Sequence, residues 1–175
     1  VFEHYAPPSS PPPQPPPPPG QYVACRWQFT STTGSDLRLS ELRLYDPYGD
    51  QHDLSSGVTA TSAESSNVAN AIDGLLGGSG HANQIHASSL PATITLSFDA
   101  PLLVAAYALA NPHCCAASSM PTAWTVSCDG GNGDGWVQVD SRSGMTPPAT
   151  WNEWYASPDA AVGIQYMRLS VTPTP

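Results

Sequence analysis

The chain has 175 residues and a formal net charge of −9, and its five cations are all arginine. That balance repels phosphate backbones and acidic lipid, which excludes nucleic acid and an anionic membrane as partners. Only 11% of residues are charged, while Ser, Thr, Gly, Ala and Pro abound, a composition suited to a glycan-rich extracellular setting such as a cell surface or cell wall.

The chain opens on Val1-Phe2-Glu3, with neither Met nor signal peptide, and reads as a mature or internal fragment. Residues 1–21 form a proline-rich arm with a short apolar tip. Proline fixes φ and removes the backbone donor, so Pro7–Pro19 reads as a polyproline II rod. At about 3.1 Å per residue the rod spans roughly 40 Å. A pure spacer would not need the aromatic residues Phe2 and Tyr5 at its tip.

Residues 22–172 read as one domain, and residues 173–175 begin a second proline-containing tail. Period-two alternation dominates the domain. Tyr22–Phe29 places Val23, Cys25, Trp27 and Phe29 on one face. Leu37–Tyr45 starts with Leu37 and Leu39, then changes phase to Leu42 and Leu44, which predicts a bulge near Ser40-Glu41. Ala92–Phe98 alternates cleanly, and Leu102–Ala110 is apolar on both faces, as a covered central strand would be. This is also the longest apolar run, and it is far shorter than a membrane span.

Ala123–Cys128 turns Trp124, Val126 and Cys128 inward. Trp136–Asp140 does so with Val137 and Val139, and Gln165–Thr172 with Met167, Leu169 and Val171. The one helical candidate is Ser66–Leu76, a turn or two with Val68, Ile72 and Leu75 on one face. Many short strands joined by Gly- and Pro-rich turns predict an all-β sandwich or jelly roll. Its expected core includes Val23, Trp27, Phe29, Leu44, Leu96, Trp124, Val126 and Leu169.

Four stretches, in order, carry a family resemblance: Leu39-Ser-Glu-Leu-Arg-Leu-Tyr45, Asn70-Ala-Ile-Asp-Gly74, Trp124-Thr-Val-Ser-Cys-Asp-Gly130 with Trp136, and Tyr166-Met-Arg-Leu169. They resemble the galactose-binding-like jelly roll, in particular the discoidin or coagulation-factor type C domains. The fold implied hosts sugar binding, lipid binding, adhesion and purely structural roles. The arm resembles the hydroxyproline-rich glycoproteins of green algae and plants. That implies hydroxylation and O-glycosylation at Pro7, Pro8, Pro11, Pro12, Pro13, Pro15, Pro16, Pro17, Pro18 and Pro19, with Ser9 and Ser10 also candidates. No Asn-x-Ser/Thr sequon is present.

Sugar-binding relatives use a His, an Arg, an Asn and an exposed aromatic from loops at one end of the barrel. The loop Asn111–Ser119 lacks the arginine. His81, Asn83, His86 and His113 either converge on a sugar or are ordinary surface-loop side chains. Trp151, Trp154 and Tyr155 either stack on sugar or pack a strand edge on the core. Many relatives hold calcium near the position of Asp73. Here Leu75 and Leu76 replace the polar residues that usually follow, so a structural calcium ion is possible and no other cofactor is expected.

Asp129–Gly135 misses the alternating register of a calcium loop and reads as a glycine-rich hairpin turn. Cys25, Cys114, Cys115 and Cys128 predict two disulfides, and adjacent Cys114 and Cys115 point opposite ways in extended chain. Each is therefore expected to bond a different partner, one Cys25 and the other Cys128. Glu41 reads as an ion-pair partner of Arg43 and Arg168. No nucleophile elbow, zinc-protease motif, phosphate loop or marked carboxylate pair is present, so an enzyme is not expected.

The leading expectation is an extracellular structural module that builds a filament or surface polymer. A rod about as long as the domain's roughly 40 Å diameter would carry Phe2 and Tyr5 to an apolar groove on another copy, head to tail. The alternative is a lectin-like adhesion module that binds extracellular glycans from a stiff stalk, and a third is an accessory domain of an enzyme.

Overall fold

The computed structural model of the chain describes residues 20–65, 67–76, 83–112, 119–150, 152–155 and 167–169. The arm through Pro19, His81, His113, Cys114, Cys115, Trp151 and Val171 lie outside the described residues.

The alternation of Tyr22–Phe29 extends both ways into β1 (Gly20–Thr32). β2 (Leu37–Leu39), β3 (Glu41–Tyr45) and β4 (Val58–Thr61) follow, then a 3-10 turn at Val68–Ala71 and β5 (Ile85–Ala87). β6 (Ala92–Val104), β7 (Ala106–Ala110), β8 (Pro121–Asp129), β9 (Trp136–Arg142) and β10 (Met167–Arg168) complete the described strands. They form a five-stranded sheet in the order β4-β6-β1-β8-β9, a three-stranded sheet β10-β7-β3 and a small β2-β5 pair. Every pairing is antiparallel. The protein is an all-β antiparallel sandwich, a form compatible with a jelly roll.

One apolar cluster fills the space between the layers. The larger sheet contributes Trp27, Phe29, Ile94, Leu96, Trp124 and Val126, and the smaller contributes Leu42, Leu44, Tyr107, Leu109 and Met167. Trp27 and Tyr107 meet edge to face across the layers with ring centroids 5.7 Å apart. Such pairs add to the area they bury.

Several local expectations are corrected by the fold. The phase change at Ser40 is a change of partner strand instead of a bulge in one ladder: β2 pairs with β5, and β3 pairs with β7. Both phases are therefore buried, with Leu37, Leu39, Leu42 and Leu44 all in the core. Leu102–Ala110 is likewise two strands. Leu102–Val104 pairs with the start of β1, and after Ala105 the chain enters the other sheet as β7, whose five residues are all buried.

On β9, Val139 is 1% exposed but Val137 is 46% exposed. Val126 faces Asp140 while Ser127 faces Gln138, so one extra residue on β9 forms a bulge and turns both Val139 and Asp140 inward. Val68 and Ile72 are buried as expected. Leu75 is 54% exposed, because the 3-10 turn has ended and Gly74 turns the chain at φ 77°.

Val23, expected in the core, is half-buried, since the β1 register shifts between Tyr22 and Ala24. Its side chain lies against the β8–β9 hairpin, where a Cβ on Gly131 would come within 2.8 Å of Val23 Cγ1.

Cys25 and Cys128 stand directly opposite each other on β1 and β8 and are bonded to one another. This overturns the expectation that each would pair with Cys114 or Cys115. The local argument about adjacent cysteines holds no information on the register that brings β1 beside β8.

Candidate functional site

The change of strand at Ser40 decides where the acidic side chains gather. Glu41 opens β3 and is only 3% exposed. It lines a pocket of about 310 Å³ with Arg43, Gln51–Ser55 and Ile72–Gly74. Burial, and next the charge of Asp73, push the Glu41 carboxyl up to about 8, against the attraction of Arg43 and a hydrogen bond from the Gly74 N–H. Glu41 Oε2 has no hydrogen-bond partner.

The expected ion pair with Arg43 and Arg168 does not form. The Arg43 guanidinium stands 4.2 Å over the Trp154 ring, and Arg168 is exposed. Among the described residues ion pairs join Arg38 to Asp36 and Arg142 to Asp140, and the His86 ring also contacts Asp36. Trp154 is fixed where its backbone bridges Ala110 of β7, so Arg43 finds a ring face in place of a carboxylate.

The rest of the pocket is held by short turns. Asp73 Oδ1 accepts the Leu75 N–H at 2.8 Å, and Asp53 Oδ1 accepts the Ser55 N–H at 2.9 Å and its hydroxyl at 2.6 Å. Among the described residues no group of three or more His, Cys, Asp or Glu side chains converges. A hard cation here would have to draw on the partnerless Glu41 Oε2 and on Asp73, and it would share the pocket with the Arg43 guanidinium. Backbone carbonyls and water would complete the shell, and the ion would relieve the repulsion between the two acids.

The other predicted site residues make separate contacts. Asn83 occupies a turn at φ 54°. His86 projects from β5, and its Nε2 lies 3.1 Å from Asp36 Oδ2. Tyr155 is buried, donates its hydroxyl to the Pro121 carbonyl at 2.8 Å and packs edge to face on Trp124 at 5.7 Å. It belongs to the core, the second of the two readings of that aromatic cluster. The Asp129–Gly135 segment is a hairpin turn between β8 and β9, with Gly131, Gly133 and Gly135 all at positive φ.

Sequence reasoning missed Glu41 as a solitary buried acid, although a carboxylate at a phase change in an apolar stretch was the available signal. It also missed Asp140, which the bulge on β9 turns inward. No family model, curated protein or solved structure matches the chain.

Proposed function

We propose that this chain is a non-enzymatic extracellular structural module, a discoidin-like sandwich that assembles with other copies through its proline-rich arm. The observation that carries the reading is how the arm joins the domain. Gly20, the residue after the proline run, is already paired with Val104 at the start of β1, the central strand of the larger sheet. Cys25 then ties that strand covalently to β8. In the sequence Pro19 directly precedes Gly20, so a stiff rod would lead straight into the central strand. A disulfide also suits an oxidising, extracellular compartment, and among the described residues no helix is long and apolar enough to cross a membrane.

Negative-stain imaging of the purified, glycosylated protein tests the proposal. Elongated head-to-tail particles that disperse when Val1–Tyr5 is deleted are expected. A monomer at high concentration would overturn it, and filaments that persist after the deletion would overturn the docking role of Phe2 and Tyr5.

A second reading, a carbohydrate-binding module on a stiff stalk, is favoured by the polar outer face of the larger sheet. On that face Arg26 stands over Trp136 beside a row of hydroxyl side chains.

A further inference from the structure

We infer that the outer face of the larger sheet binds an acidic saccharide, with Arg26 receiving its carboxylate or sulfate group; this rests on the carbohydrate-binding reading of the domain. Cross-strand register builds the site. Gln28 on β1 lies opposite Thr93 on β6 and Thr125 on β8, while Arg26 lies opposite Thr95 and Ser127. Side chains two apart on a strand share a face, so these point away from buried Trp27 and Phe29. Arg26, Gln28, Thr93, Thr125 and Ser127 line a groove of about 350 Å³.

The lining selects the ligand. Hydroxyl and amide side chains both donate and accept hydrogen bonds, which matches neighbouring sugar hydroxyls. No large apolar side chain lines the groove, so a lipid chain or a proline-rich strand would find nothing to bury against. Charge narrows the class further. Arg26 makes no ion pair among the described residues, and its guanidinium is held 4.5 Å over the Trp136 ring. A guanidinium held in this way presents a planar fork suited to a carboxylate or sulfate.

No acidic side chain lines the groove, although Asp129 and Glu64 flank it. Asp129 Oδ1 accepts the Gly131 N–H at 2.8 Å. Glu64 Oε2 accepts the Ser62 hydroxyl and the Thr93 N–H, each at 3.1 Å. Arg26 is thus the one charged side chain that lines the groove, on a chain that is acidic overall.

Titration calorimetry of the intact protein tests this with oligogalacturonate, a sulfated galactan oligosaccharide and a neutral galactan oligosaccharide of equal length. At least one acidic probe is expected to bind about tenfold or more tightly than the neutral one, and less tightly as salt rises. Arg26→Gln is expected to remove that preference, Gln28→Ala to weaken binding severalfold, and His86→Ala to leave it unchanged. Both groove residues are at the surface, and thermal melting of each variant confirms that it is folded. Acidic-probe binding that survives Arg26→Gln but fails in His86→Ala would refute this site while leaving the carbohydrate-binding reading intact. Binding of no probe would refute both.

Discussion

Tyr107 donates its phenolic hydrogen to Asp140 Oδ2 at 2.6 Å, with both residues buried. The same carboxylate oxygen accepts from Arg142 Nε at 2.8 Å, and Tyr107 Oη accepts from Trp124 Nε1 at 2.7 Å. The network thus joins β7 of the smaller sheet to β8 and β9 of the larger one. Burial, and then the charge of Asp140, hold the Tyr107 hydroxyl well above its usual pKa, which keeps it a donor.

Tyr107→Phe leaves the Trp124 N–H without its acceptor and takes one donor from a buried carboxylate. The expected cost is about 2–4 kcal/mol, more than one ordinary hydrogen bond, because the orphaned indole N–H and the carboxylate that has lost one donor both stay dry. Urea unfolding measures it, and a double-mutant cycle with Asp140→Asn is expected to give coupling above about 1 kcal/mol. Additive losses would mean that the two residues do not act as a unit.

The Cys25–Cys128 bond closes a loop with a sequence separation of 103 residues. Replacing both cysteines by Ala is expected to cost about 2–5 kcal/mol, mainly through the freedom returned to the unfolded chain. Denaturant titration reads the loss. Non-reducing peptide mapping is expected to recover Cys25 joined to Cys128, and a peptide joining either one to Cys114 or Cys115 would refute the pairing.

Glu41 makes stability depend on pH in a stated direction. Its carboxyl is raised from an ordinary value of 4.5 to about 8 in the folded protein. Between these values the folded state holds a proton that the unfolded chain has released. The stability it confers is thus full below about pH 4.5 and falls as pH rises toward 8, by at most about 1.4 kcal/mol per unit. Glu41→Gln is expected to flatten that decline in thermal melts. A slope unchanged in the variant would assign the effect to other groups.

The proposed cation site is tested by the same melts at pH 8. Excess calcium is expected to raise the midpoint of the wild-type protein, since a ligand held only by the folded state stabilises it by mass action. Asp73→Asn is expected to abolish the rise. A midpoint indifferent to both calcium and chelator would remove the ion from the account of this pocket.

The larger sheet was legible in sequence because its strands bury one face and expose the other. Trp27 and Phe29, Ile94 and Leu96, and Trp124 and Val126 each stand two residues apart and lie in the core. Illegible features were those decided by strands distant in the chain. The phase change at Ser40 does not distinguish a bulge from a change of partner strand, nothing near Ala105 marks the second change, and alternation cannot reveal the extra residue that turns Asp140 inward. The candidate sites suffered in the same way. Arg26 and Trp136 read locally as unremarkable strand residues, and only the pairing of β1, β8 and β9 brings the guanidinium over the indole.

The position of the disulfide also sets how the domain would respond to tension along the arm. A pull at Gly20 could peel β1 from its neighbours only as far as Cys25, roughly 17 Å of extended chain. Beyond that point the load passes through the sulfur atoms into β8 and bypasses the chain between the two cysteines. That bypassed stretch contains β2 through β7 and most of the apolar core. The clasp acts as a mechanical stop: the first few residues of β1 yield, and the sandwich behind them keeps its shape.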